Sequence, residues 1–150
     1  MMLNCQFSDE ILKTYEEMRM GKGSNKDKKF LVLKMQESSI QIDQELSQLS
    51  SLDELTANLP PKNSRFICYH LSFEMPSQNE TCQIREGTRT KMMFLTWCPN
   101  ETNVKEKFQV AATVKTVKQK LNGLSATIHC STKSEIDERS MIEKCLTFMK

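Results

Sequence analysis

Residues 92–97, Met-Met-Phe-Leu-Thr-Trp, form an almost unbroken apolar run with the length of a strand, and a strand of that kind belongs in the middle of a sheet covered on both sides. Cys98-Pro99 closes the run, and after a short polar link a helical segment extends from Val104 to Leu121 with neither glycine nor proline. A buried strand that passes straight into a long helix restricts the chain to a sheet with helices packed against it.

The helix itself poses the harder problem. At 3.6 residues per turn, Val110, Val114, Val117 and Leu121 gather in one stripe, and Val104, Phe108, Ala111 and Ala112 gather in another roughly 130° away. Lys115 and Lys118 continue the second stripe. One straight helix cannot bury both against one sheet. Either the helix bends, so that each half buries a different stripe, or Val110, Val117 and Leu121 face the sheet while Phe108, Ala111 and Ala112 face a partner. An aromatic anchor among small residues with a cationic rim fits a groove on a protein; nucleic acid would call for more arginine and interleaved aromatics.

The remaining elements read in order along the chain. Ser8 is placed to cap a first helix with Asp9 and Glu10 in its opening turn, Phe7 stapled onto Leu12, and Ile11, Leu12, Tyr15 and Met18 on its buried face. Gly21 to Asn25 ends that helix. Phe30 to Met35 is a central strand, and Ile40 and Ile42, with Leu46 as a candidate last member, alternate with polar residues in a half-exposed strand that forms a hairpin with it. Ser51-Leu52-Asp53-Glu54 is a capping box opening a short helix that Pro60-Pro61 terminates. Arg65 to Glu74 and Lys91 to Trp97 are strands separated by a polar loop, Thr127 to Cys130 is a short last strand, and Ser134 to Asp137 caps a final helix running towards Met149. The expected fold is a single α/β (α+β) domain over residues 1–150, with a central mixed sheet of about five strands flanked by helices on both faces.

At 150 residues such a domain buries a sufficient core without metals or disulfides. Charged residues make up 27% of the chain but the net charge is only +2, which argues against nucleic acid as a partner held by bulk electrostatics. The six cysteines, Cys5, Cys68, Cys82, Cys98, Cys130 and Cys145, show no CxxC pairing and no histidine at ligand spacing, so they read as reduced thiols with no metal or other cofactor expected. The N-terminal residues lack a basic and apolar leader, and no apolar run approaches 18 residues, so a soluble intracellular protein is expected. On that reading the sequons at Asn79 and Asn100 are chance matches. His70 and His129 fall in strands away from any nucleophile with an orienting acid, and neither GxGxxG nor GxxxxGKS occurs, so an enzyme is not expected.

Arg89-Thr90-Lys91-Met92-Met93-Phe94-Leu95-Thr96-Trp97-Cys98-Pro99, Val104-Lys105-Glu106-Lys107-Phe108 and Lys118-Gln119-Lys120-Leu121-Asn122-Gly123-Leu124 resemble the ADF/cofilin family of actin-binding proteins. Ser8-Asp9, the hairpin, Ser64 to Tyr69 and the helix with Glu143-Lys144 follow in matching order, so the resemblance covers nearly the whole chain. It implies a monomeric cytoplasmic protein of the cytoskeleton that binds actin monomers and filaments and severs or depolymerises the latter. Carried over by residue, the surface for monomers and filaments would comprise Leu3, Asn4, Cys5, Gln6, Lys105, Lys107, Phe108, Ala111, Ala112, Lys115 and Lys118. A second surface, used on filaments alone, would comprise Arg89, Lys91, Glu143 and Lys144. Lys105, Lys107, Lys115, Lys118 and Lys120 are the candidates for contact with phosphoinositide membranes. Leu3 stands where regulated vertebrate members carry a phosphorylatable serine, which implies that the usual kinase switch is absent.

A glia-maturation-factor-like protein, acting on the branch-forming Arp2/3 complex with weak or no filament binding, is the alternative on the same fold. Ser51 to Pro60 and Arg65-Phe66-Ile67 fit it equally, whereas Trp97-Cys98-Pro99 and Lys118 to Leu124 favour cofilin.

Overall fold

The computed structural model describes residues 8–36, 39–74 and 88–148. Five strands, β1 (Phe30–Gln36), β2 (Ser39–Ile42), β3 (Arg65–Glu74), β4 (Thr88–Trp97) and β5 (Leu124–Cys130), form one sheet in the order β2-β1-β3-β4-β5. The β1–β2, β1–β3 and β3–β4 pairs are antiparallel and β4–β5 is parallel, so the sheet is mixed as expected. Parallel neighbours need a crossover connection, and helix α4 (Val104–Lys120) supplies it between β4 and β5.

Two apolar layers sandwich this sheet because its central strands alternate apolar side chains to both sides. Leu31, Leu33, Phe66, Cys68, Met92 and Phe94 pack with Ile11, Tyr15 and Met18 of α1 (Asp9–Met20) and with Val110, Val117 and Leu121. On the opposite face, Phe30, Val32, Ile67, Tyr69, Met93, Leu95 and Trp97 pack with Leu46 of α2 (Gln44–Ser47), Leu55 of α3 (Leu52–Asn58) and Met141 and Cys145 of α5 (Glu138–Phe148). Burial on both faces is the physical reason that β1 and β4 read as continuous apolar runs instead of alternating ones. Among the described residues no helix is long and apolar enough to cross a membrane.

Local signals in the sequence are realised at most element ends. The Ser8 hydroxyl accepts from the Ile11 amide and Gly21 ends α1 at φ 69°, a left-handed conformation that side chains other than glycine's adopt at a cost. Ser51 caps α3 through the Glu54 amide at 3.1 Å, and the Glu54 carboxylate reaches the Ser50 amide at 3.3 Å. Phe7, the expected staple, lies outside the described residues, as do the loop from 75 to 87 and Met149.

Four boundaries differ from the sequence expectation. Leu46 is not a strand residue: β2 stops at Ile42, and Asp43 caps α2 by accepting from the Leu46 amide at 3.1 Å, which turns Leu46 into the core as part of a helix. The final helix is not capped by Ser134. Thr132 opens a separate 3-10 turn over Lys133–Glu135, and Asp137 starts α5 by accepting from the Ser140 amide at 3.0 Å. Strand β4 begins at Thr88 instead of Lys91 because it pairs with β3 as far as Glu74, and β5 begins at Leu124, opposite Met92, instead of Thr127.

Candidate interaction surface

Helix α4 starts at Asn103, whose Oδ1 accepts from the Glu106 amide at 2.7 Å, and carries Lys118 and Lys120 in its last turn, where cations complement the helix dipole. At its far end the chain extends from Leu121 and turns at Gly123, φ 79°, close against the Arg19 side chain. The Tyr15 hydroxyl donates to the Asn122 carbonyl, tying α1 to that turn. Helices α1 and α4 therefore lie over the same face of the sheet and hold each other in place.

Of the two stripes on α4, one is buried and one is not. Val110, Thr113, Val117 and Leu121 are buried against the sheet, whereas Val104 is 82% and Phe108 68% exposed, with Ala111 and Ala112 exposed beside them. A bend that buries each stripe in turn is excluded, because Val104 and Phe108, the residues it would bury in the first half of the helix, are exposed. Met20, Val104 and Phe108 are the exposed large hydrophobic side chains among the described residues, and two of the three stand on this helix.

The lysines divide by position around the helix. Lys105, Lys107 and Lys115 are exposed and Lys118 is half-buried, and 3.6-residue geometry puts all four within roughly 100° of Phe108. Lys120 is exposed but lies roughly 120° from Phe108 by the same geometry, so it does not share that face. Among the described residues the ion pairs are Arg19–Glu16 and Arg65–Asp43, and neither engages a lysine of α4. Beside the stripe an open groove of about 540 Å³ runs between α4 and β5, with Lys107, Ala111 and Val114 on one wall and His129 on the other. Cys98 lies at its floor, and burial pushes its thiol upward in pKa, which leaves it protonated and a poor nucleophile.

The second residue set stands on the opposite face. Lys91 is half-buried, shares its face of β4 with Met93, and acts electrostatically on Cys145 of α5; Glu143 and Lys144 are exposed on that helix. Arg89 pairs with Phe73 through its backbone, and its side chain is outside what is described. The fold thus brings Lys91, Glu143 and Lys144 to one side of the sheet and the α4 residues to the other. Leu3, Asn4, Cys5 and Gln6 lie outside the described residues.

Two further residues belong with this surface, one within reach of the sequence and one not. Val104 belongs with Phe108 as an exposed apolar residue, as the helical spacing of four already indicated. Glu106 is the other: its carboxylate accepts from the Ser64 amide at 2.5 Å, the Ser64 hydroxyl at 2.7 Å and Asn63 Nδ2 at 3.1 Å. Burial opposes ionisation of Glu106, but these donors and the nearby Arg65 outweigh it and hold the carboxyl below its ordinary pKa.

Residues 4–146 match the family model described as cofilin/tropomyosin-type actin-binding protein. The chain is 28% identical over 151 residues to actophorin of Entamoeba histolytica, an alignment spanning 99% of this chain and 100% of that protein. Among solved structures it resembles the cofilin of Streptomyces griseoflavus, with a TM-score of 0.76 and 22% identity over 95% of this chain and 99% of that one. It also resembles a coactosin of Entamoeba histolytica, with a TM-score of 0.71 and 16% identity over 98% and 96% of the two chains. These two structural likenesses establish the shared fold.

Proposed function

The chain belongs to the ADF/cofilin family of actin-binding proteins, and from that premise we propose that it binds actin monomers and filaments through the exposed stripe of α4 and promotes filament severing and depolymerisation. The observation that carries this reading is Phe108, 68% exposed on a helix whose other stripe buries Val110, Val117 and Leu121 in the core. An exposed aromatic ring framed by Ala111, Ala112 and the cations of Lys105, Lys107, Lys115 and Lys118 has the composition of an interface anchor with a charged rim. Leu3 to Gln6 belong to the same contact on this reading, and Arg89, Lys91, Glu143 and Lys144 form a separate contact made only on filaments.

Phosphoinositide membranes would compete for the same helix. Lys107, Lys115 and Lys118 fall within an arc of roughly 80° on the helix, and each lysine near an anionic surface contributes about 1 kcal/mol. Lys105 and Lys120 lie outside that arc, so three lysines carry most of the attraction.

Co-sedimentation with bare filaments, with severing followed by microscopy, tests the proposal. Lys105→Ala with Lys107→Ala should weaken binding to monomers and filaments alike, and Arg89→Ala with Lys91→Ala should weaken filament binding while leaving monomer binding nearly intact. A chain that binds neither form of actin refutes the proposal, and one that acts only on Arp2/3 branches belongs to the glia-maturation-factor reading instead.

A further inference from the structure

The opening turn and a half of α4 directs Val104, Lys105, Lys107 and Phe108 outward, and the first fully buried side chain on the helix is Val110. Hydrophobic burial therefore fixes α4 only from its second turn onward. Ahead of that point, among the described residues, the side-chain hydrogen bonds from this turn to another element all come from Glu106. They end on Asn63 and on Ser64, which is 2% exposed and directly precedes β3. The next residue, Arg65, pairs with Asp43 at 2.9 Å, so the anchor point is itself fixed to the body of the domain.

An acid at the third helical position ordinarily turns back to the amide of its own cap residue. Here Asn103 caps the helix through its own side chain and the Glu106 carboxylate is committed to the neighbouring loop. We infer that Glu106 is the positioning residue of the binding face: it clamps the first turn of α4 onto Asn63–Ser64, so that Phe108 and its flanking lysines hold one orientation before a partner arrives. The inference rests on the reading of α4 as the actin contact. A face ordered in advance does not lose conformational freedom at the moment of binding, and affinity rises accordingly. Glu106 is itself half-buried and lies roughly 160° around the helix from Phe108, so it is not part of the face it orients.

Amide hydrogen exchange on the free protein, paired with monomer affinity on the same samples, tests this in Glu106→Ala, Glu106→Gln and Ser64→Ala. In Glu106→Ala the amides from Lys107 to Val110 should lose most of their protection and actin affinity should fall about tenfold, the drop expected when the binding-competent fraction falls to about a tenth. The amide of Val117 should keep its protection, which separates a loosened first turn from general destabilisation. Ser64→Ala changes no charge and should shift both readouts in the same direction by less, whereas a purely electrostatic role for Glu106 would leave them unmoved in that variant. Glu106→Gln keeps one acceptor oxygen and should recover part of the loss; with Ser64→Ala it carries the test if Glu106→Ala does not fold. Unchanged exchange over residues 107–110, or faster exchange with unchanged affinity, overturns the inference. Failure of the unsubstituted chain to bind actin overturns the functional reading beneath it and is recognised without any variant.

Discussion

The indole Nε1 of Trp97 donates a hydrogen bond to the carbonyl of Pro60 at 2.9 Å. The last residue of β4, which is 2% exposed, is thereby fastened to the turn that ends α3, so Trp97 both fills the core and fixes the loop leading to Ser64. Trp97→Phe keeps the ring but removes the donor and leaves a small void. Denaturant unfolding should show a loss of about 2 to 3 kcal/mol, the combined scale of a lost hydrogen bond and lost packing.

Phe108→Ala should leave stability within about 0.5 kcal/mol of the parent, as expected for a surface residue. Monomer affinity should drop by about 2 kcal/mol if the ring is the anchor of the interface. A thermal melt and a binding titration on the same sample check both. Loss of stability without loss of affinity contradicts the arrangement described above.

Thr113 sits 1% exposed on the inner face of α4, and its hydroxyl has no hydrogen-bond partner among the described residues. Thr113→Val preserves the branched shape and rotamer preference while removing the stranded polar atom. The midpoint of thermal unfolding should rise, corresponding to a gain of about 1 kcal/mol, the low end of the cost of an unsatisfied buried group.

Acid should act on the same helix through Glu106. Its carboxyl is held below the ordinary value of 4.5 by the Ser64 and Asn63 donors against the opposing effect of burial. The stabilisation from these bonds is therefore present above pH 4.5 and is lost as pH falls through the lower folded-state value. Comparing the parent with Glu106→Gln by denaturant unfolding across that range should give a gap that is constant at neutral pH and narrows in acid. A gap independent of pH would show that ionisation of Glu106 contributes nothing.

Wherever neighbours in sequence decide the outcome, the chain is readable. Ser8 and Ser51 announce α1 and α3, the apolar runs at Phe30 and Met92 announce strands covered on both sides, and the two stripes of α4 announce a helix that either bends or has one face to spare. Legibility fails where the deciding partner is remote or the pattern continues past a turn. The alternation of Ile40 and Ile42 extends to Leu46 by spacing, yet the Asp43 cap converts the last step into helix. Ser134 looks like a cap, but the chain bends at Ile136 and gives that role to Asp137. Glu106 reads as an ordinary acid in a helix's first turn because the serine it holds lies 42 residues earlier. The angle of roughly 120° between Lys120 and Phe108, by contrast, follows from the 3.6-residue phase of the sequence itself.

The parallel pairing of β4 with β5 also sets the order in which the molecule becomes competent. Synthesis delivers α4 complete before any residue of β5 exists, and until Leu124 to Cys130 lie alongside Met92 to Trp97 the far end of the helix is held by the packing of Val117 and Leu121 alone. The Tyr15 link to Asn122 waits on the same event, since that carbonyl lies in the turn into β5. A nascent chain therefore displays the lysines of α4 before the strand that follows the helix returns its far end to the sheet. A chain interrupted before β5 carries the cations of this surface on a helix that lacks the Tyr15–Asn122 link at its far end.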